Sequence, residues 1–380
     1  MVLATASATS PAADRRWENG FPDRPDFFPV GVWLQSPRNA ERYKSIGINT
    51  YVALWRGPTE EQLATLEKAG MHVICGQSES ALKFKDRKVI VGWMHGDEPD
   101  NAQPVKGPNH WGPPIAPDKI VADYERIKMA DPTRPVLLNL GQGVAWDNWR
   151  GRGVRSRHPE DYAQYLKGCD IASFDIYPVT HESPEVSGKL WYVGYGVKRL
   201  LDWSGGAKPA WACIETTHIS NEKAMPTPDQ VRSEVWMAIA NGASGIIYFC
   251  HEFKPQQIEA GLLSRPEIVE AVGSINADVT RLAPVIHSPT VPGGVQVRSG
   301  ESAAGDDPPA AVLCKRQAGD TWVIAVSRRA QPARLTFTLL QRPKGGKAEV
   351  DGENRSIPIE RGTFGDDFGA YGVHIYRVSP

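Results

Sequence analysis

Between residues 27 and 250, short runs of consecutive apolar and β-branched residues alternate with longer stretches in which apolar residues recur at helical spacing. Continuous apolar runs are what parallel strands covered on both faces require, and the amphipathic stretches between them read as crossover helices. Eight such runs stand out: FFPVGVWLQ, INTYVAL, MHVIC, VIVGWMHG, PVLLNLG, DIASFDIYPV, PAWACIE and SGIIYFC. Helix-start chemistry supports the alternation, since Pro58-Thr59-Glu60-Glu61 and Pro228-Asp229 put proline and acidic residues in first turns, where the helix dipole favours them. The third unit is the weakest, because GQSESALKFKDRK offers only a short helix. Eight strand–helix units predict a closed (β/α)₈ TIM barrel. The competing open, doubly wound sheet would carry a Gly-rich phosphate loop after its first strand, and Trp33-Leu34-Gln35-Ser36-Pro37 contains none.

Past about Pro284 the pattern changes to short alternating runs separated by Gly, Pro and Asp, with no helical stretch between them. GGVQVRS, PAAVLCKRQ, DTWVIAVSRR, ARLTFTLL and YGVHIYRVS predict a small antiparallel β-sandwich. The expected organisation is therefore an N-terminal extension over 1–26, a barrel over 27–284 and a C-terminal sandwich over 285–380. That division suits a chain of 380 residues, because such barrels take about 250.

Composition narrows the function. Lys plus Arg (43) nearly balances Asp plus Glu (44), so no net field gathers nucleic acid or an anionic membrane, and a neutral partner such as a carbohydrate fits better. No apolar run is long enough to span a bilayer. The five cysteines are scattered, and four sit in apolar strand-like runs, which predicts neither a disulfide framework nor a metal cluster. The start, MVLATASATSPAADRR, lacks the basic and apolar segments of an intact signal peptide, yet it resembles the remnant left after one is removed, which slightly favours a secreted or periplasmic location.

In a barrel of this kind the active site lies at the C-terminal ends of the strands. Two glutamates end strands there: Glu98, in Trp93-Met94-His95-Gly96-Asp97-Glu98-Pro99-Asp100 after the fourth, and Glu215, in Trp211-Ala212-Cys213-Ile214-Glu215 at the end of the seventh. Strands four and seven face each other across the barrel, and a carboxyl pair is what glycoside hydrolysis uses: one protonates the departing oxygen while the other attacks the anomeric carbon or activates water.

With these two positions the sequence resembles the clan A glycoside hydrolases, over roughly residues 28 to 282. The resemblance implies a retaining hydrolase of a β-linked glycoside, without cofactor or metal, in which Glu98 is the acid/base and Glu215 the nucleophile. The pattern departs at one place, since the clan usually has Asn before the acid/base and this chain has Asp97. An Asp-Glu pair at that point is similar to hydrolases of N-acetylhexosamines, where Asp orients the substrate's own acetamido group as nucleophile and Glu is the acid. A third reading is a catalytically inactive barrel that binds glycans through its aromatic rim.

Aromatic residues at or near strand ends can stack on a pyranose ring, and Trp33, Trp55, Trp93, Trp146, Trp149, Tyr177 and Tyr248 are the candidates. Trp33 and Trp93 lie inside strands and are equally good core residues. Trp146 and Trp149 belong to a long Gly-rich loop, as binding residues often do. Polar candidates for the rim are Gln35, His95, Asn139, Gln142, Asp175, His218, His251 and Glu252. No HExxH, paired-cysteine, GxSxG or P-loop motif occurs, so metalloprotease, esterase and phosphoryl-transfer chemistry have no anchor.

Overall fold

A computed structural model describes residues 17–106, 110–300, 308–341 and 346–380. The stretch read as a leader remnant lies outside them as far as residue 16. Eight parallel strands close into a barrel in chain order: β1 Val30–Trp33, β2 Thr50–Val52, β3 His72–Gly76, β4 Ile90–Met94, β5 Val136–Leu140, β6 Ile171–Phe174, β7 Ala210–Glu215 and β8 Gly245–Phe249. β8 returns to β1, with Val30 opposite Ile246 and Val32 opposite Tyr248, so no edge is left open. Each strand matches one of the eight apolar runs.

The helices that wrap the barrel are unequal. The main ones are α2 Glu60–Lys68, α4 Pro117–Ala130, α6 Trp191–Trp203, α7 Pro228–Ala240 and α8 Pro266–Ile286, whereas α1 Ala40–Ser45, α3 Glu79–Leu82 and α5 Tyr162–Tyr165 are one or two turns. α2 and α7 begin with reciprocal capping boxes, Thr59 with Gln62 and Thr227 with Gln230, each satisfying otherwise unpaired first-turn donors. α8 runs two residues beyond the expected barrel boundary and carries Pro284 in its last turn.

Two cores result. Inside the barrel, Trp33, Val52, Ile74, Val91, Leu137, Ile171, Trp211, Cys213 and Ile247 fill the lumen. Trp17 and Phe21 close its N-terminal end, the Phe21 ring lying 5.6 Å from Trp211. Around it, the outward residues of the strands pack against the helices. The C-terminal part is a β-sandwich of two antiparallel sheets. One has the order β10-β11-β16-β13-β14, built from Ala310–Gln317, Asp320–Ser327, Val373–Val378, Lys347–Val350 and Arg355–Pro358. The other has the order β15-β12-β9, from Thr363–Phe368, Ala333–Leu339 and Val295–Ser299. Between them Phe337 stacks on Phe364, and Tyr376 meets Phe364 edge-on. The outer side of the larger sheet, through Ala311, Ile324, Val326, Val373 and Ile375, joins the barrel's helical core.

Candidate active site

The segment after β4 holds most of the acids. It turns sharply at Glu98, which has a left-handed backbone (φ 42°), a conformation costly for a side chain with a Cβ and one that collects at functional sites. The Glu98 amide donates to the Asn139 carbonyl (3.2 Å), and its own carbonyl accepts from the Asn101 amide (3.0 Å). The turn lays the Glu98 carboxyl over β5, beside the Asn101 side chain and above Gly141, where an added Cβ would lie 2.9 Å from Glu98 Oε1. Glycine is therefore needed at 141 for lack of room.

Side chains from several elements brace this turn. Ser173 Oγ donates to Asn139 Oδ1 (2.7 Å), which orients the Asn139 amide so that Nδ2 donates to Asp97 Oδ1 (2.9 Å). Asp100 is fully buried and accepts from the Gly141 amide (2.9 Å) and the Tyr162 hydroxyl (2.8 Å). Trp149 Nε1 donates to Asn101 Oδ1 (2.8 Å), and Asn101 in turn hydrogen-bonds Glu98. From β6, Asp175 reaches the same spot. Its carboxyl hydrogen-bonds Glu98, and it accepts from the Tyr177 hydroxyl (3.2 Å).

Crowding of carboxyls in a poorly solvated mouth controls their protonation. Burial, then the charge of Asp97, pushes Glu98 up to about 7, and burial, then the charge of Glu98, raises Asp175 well above the ordinary carboxylate range. Their contact acts in opposite senses, raising Asp175 and lowering Glu98, so Glu98 stays high because of burial and Asp97.

Glu215 is placed differently. It stands at the end of β7 opposite Phe249, as expected, but it is fully buried and both its oxygens are occupied. Oε1 accepts from the Val179 amide (2.6 Å) and Oε2 from the Thr180 amide (3.0 Å), and its other neighbour is the buried carboxyl of Glu234 on α7. Burial pushes Glu215 up to about 7 and raises Glu234 well above its usual value, Glu215's charge adding to the latter. The groups that set the titration of Glu98 are Asp97, Asp175, Asp100 and Asn101, and those that set Glu215 are Thr180, Val179 and Glu234. Glu215 thus ties the loop after β6 to α7.

Other expected contacts also lie elsewhere. His95 points outward, its Nδ1 3.0 Å from Asp123 of α4 and its Nε2 2.8 Å from the Gly168 carbonyl. Tyr248 is buried on the outer side of β8 and donates to Asn276 of α8 (2.8 Å). Trp33 fills the lumen, and Trp93 faces α4, where Nε1 donates to Asp131 (2.9 Å). These are packing residues.

The rim candidates that stay near the strand ends are Gln142, paired with His181 (2.8 Å), Trp146, whose Nε1 donates to Glu185 (2.7 Å), and Trp55, which is 68% exposed with Arg56 over its ring. His251 is buried against Gln35 (3.1 Å), and His218 pairs with Glu252 (2.5 Å), which also meets Arg265 (3.1 Å). The Nδ1 atoms of His218 and His251 are both buried without a partner among the described residues.

Sequence reasoning missed Asn101, Asp100, Phe249, Phe253 and Trp111. The Tyr177, Phe249 and Phe253 rings form a chain with centroids 5.1 and 6.1 Å apart, and Phe253 and Trp111 are exposed. Asn101 and Asp100 could have been suspected only from their nearness to Glu98 in the chain.

No family model and no curated protein matches the sequence. Solved structures do resemble its fold. A candidate alpha-galactosidase from Bacteroides fragilis superposes with a TM-score of 0.55 at 9% identity, covering 93% of this chain and 80% of that one. AmyP, crystallised in complex with maltose, gives 0.51 at 10% identity, covering 94% of this chain and 97% of that one. At such identity the likeness establishes the fold: a TIM barrel followed by a β-sandwich.

Proposed function

We propose that this chain is a glycoside hydrolase with Glu98 as its general acid. The observation that carries the reading is the Glu98 carboxyl itself: held at a strained turn at the C-terminal mouth and pushed up to about 7 by burial and the charge of Asp97. A carboxylic acid that stays protonated at neutral pH is what departure of a sugar alkoxide requires. The exposed aromatic residues after the strands suit the apolar faces of pyranose rings. Both fold neighbours bear on the substrate class, one named for a galactosidase and the other crystallised with maltose.

The second catalytic group decides the mechanism. Opposed carboxyls acting on one anomeric centre stand about 5 to 5.5 Å apart for retention and about 6.5 to 9.5 Å for inversion. Asp175 touches Glu98, so it does not stand across a sugar from it, and Glu215 is occupied by two backbone amides. This favours the substrate-assisted reading: Glu98 protonates the leaving oxygen, the substrate's 2-acetamido oxygen attacks the anomeric carbon, and Asp97, exposed and held by Asn139, orients that acetamido group. Burial and the charge of Asp97 keep the proton on Glu98. The retaining reading, with Glu215 as nucleophile on a β-linked glycoside, requires that carboxyl to release Val179 and Thr180.

Aryl glycosides with and without a 2-acetamido group separate these readings. Turnover confined to the acetamido sugars, with inhibition by a thiazoline mimic of the cyclised intermediate, is the expected result. Glu98→Gln should abolish turnover of poor leaving groups and spare activated ones. Turnover of 2-hydroxy sugars with covalent trapping on Glu215 moves the nucleophile there. Sugar binding without turnover in any panel leaves a glycan-binding barrel.

A further inference from the structure

At the opposite end of the barrel from the acid cluster, a half-open cavity of about 190 Å³ lies between the starts of β7 and β8 and the sandwich. Pro209 precedes β7, Gly242, Ala243 and Ser244 form the turn from α7 into β8, and Ile286, His287 and Ser288 end α8. The sandwich contributes Leu313 and Lys315 from β10. The apolar share of the wall comes mainly from Leu201, Pro209, Ala243, Ile286 and Leu313.

The charged part of the wall is of one sign, from Lys208 and Lys315, since burial lowers the pKa of His287. Lys208, His287 and Lys315 line the cavity, and no Asp or Glu is among the lining residues. Lys315 is only 8% exposed, and of its three N–H donors one meets an acceptor among the described residues, the Ser288 carbonyl at 2.9 Å. Ser244 Oγ, on the same wall, is buried with no partner among the described residues. A buried ammonium with no counter-charge and spare donors is costly, and this one is held down to about 8 by burial alone. An anion entering the cavity would supply the missing acceptor and charge.

We propose that this cavity binds a small organic anion, a carboxylate on a compact apolar body, with the carboxylate on Lys315 and Ser244 and the body against Leu201, Ala243, Ile286 and Leu313. The size limits the occupant, since drug-sized sites run to roughly 300–1,000 Å³. The site has one wall in each domain, so a bound acid also clamps the sandwich to the barrel. It is independent of the chemistry at the mouth.

Titration calorimetry on the full chain with benzoate, benzamide and inorganic phosphate tests this. Benzoate should bind saturably and raise the melting temperature, with benzamide and phosphate each at least tenfold weaker. Lys315→Met should abolish the preference for benzoate over benzamide. Leu313→Trp, which fills the cavity and leaves the charge, should abolish binding of both. At a pH just above 8, benzoate binding should take up a proton in buffers of differing ionisation heat, because the anion restores the charge on Lys315. Absence of benzoate binding, equal binding to the Lys315→Met protein, or phosphate binding as tight as benzoate overturns the proposal. Loss or survival of glycoside turnover does not bear on it.

Discussion

At the residue scale the acid cluster makes a directional prediction about pH. The charge of Asp97 is the largest contribution to the Glu98 shift after burial. Asp97→Asn keeps an oxygen for Asn139 to donate to and removes that charge. A general acid is active while protonated, so its pKa sets the alkaline limb of kcat/KM. The native limb should fall near pH 7, and the Asn variant's limb should move acidward. An unmoved limb means that another group carries the proton. The Glu215–Glu234 pair predicts a pH effect on stability instead. Both pKa values are raised, so the folded state binds more protons than the unfolded chain, and stability present below about pH 4.5 is lost as pH rises through about 7. Glu234→Gln keeps a donor to Glu215 and deletes one titration. Between pH 5 and 8 its urea midpoint should decline less than that of the native protein.

At the element scale, the loop from β5 to α5 is expected to act through its hydrogen bonds more than its surface. Trp149→Phe keeps the ring and drops the N–H that holds Asn101 against Glu98. One net hydrogen bond of about 1 kcal/mol predicts a loss in kcat of roughly fivefold, with KM little changed. Trp146→Phe loses only its bond to the exposed Glu185 and should be close to neutral. A KM effect from Trp149→Phe, with kcat unchanged, would instead make that ring a sugar platform. This scale also shows what the sequence could carry. The eight strands were legible because each is a continuous apolar run, and Glu98 and Glu215 were correctly placed at strand ends. Side-chain direction was not legible. A strand covered on both faces has no polar side to reveal its parity, so Tyr248 and His95 gave no sign that they face the helices. Nor could parity foretell Glu215, which lies in step with the inward Trp211 and Cys213 yet is captured by two amides from the neighbouring loop. The turn at Glu98 has a positive φ, which Pro99 after it did not announce.

At the scale of the whole molecule, barrel and sandwich should unfold together. Ala311, Ile324, Val326, Val373 and Ile375 of the sandwich belong to the apolar core that surrounds the barrel strands, so removing the sandwich would expose the outer faces of α7 and α8. Tyr371 is the joint. Its carbonyl accepts from Ser233 of α7 (2.8 Å), its hydroxyl donates to the Gly188 carbonyl in the segment before α6 (2.7 Å), and its ring is buried. Truncating a buried aromatic costs roughly 3 to 5 kcal/mol, so Tyr371→Ala should lower the stability of the chain by about 3 kcal/mol. Because that residue belongs to the sandwich, the test lies in which part responds. Far-ultraviolet dichroism at helical wavelengths follows the barrel, whose helices are the molecule's only long ones among the described residues, and a probe attached at the exposed Leu340 follows the sandwich. If the two share one core, both signals shift together in a single transition, since a cooperative unit cannot lose one wall and keep the other. If the Leu340 probe melts early while helical dichroism holds at the native midpoint, the sandwich is an appended domain, and the barrel's stability resides in its own helices.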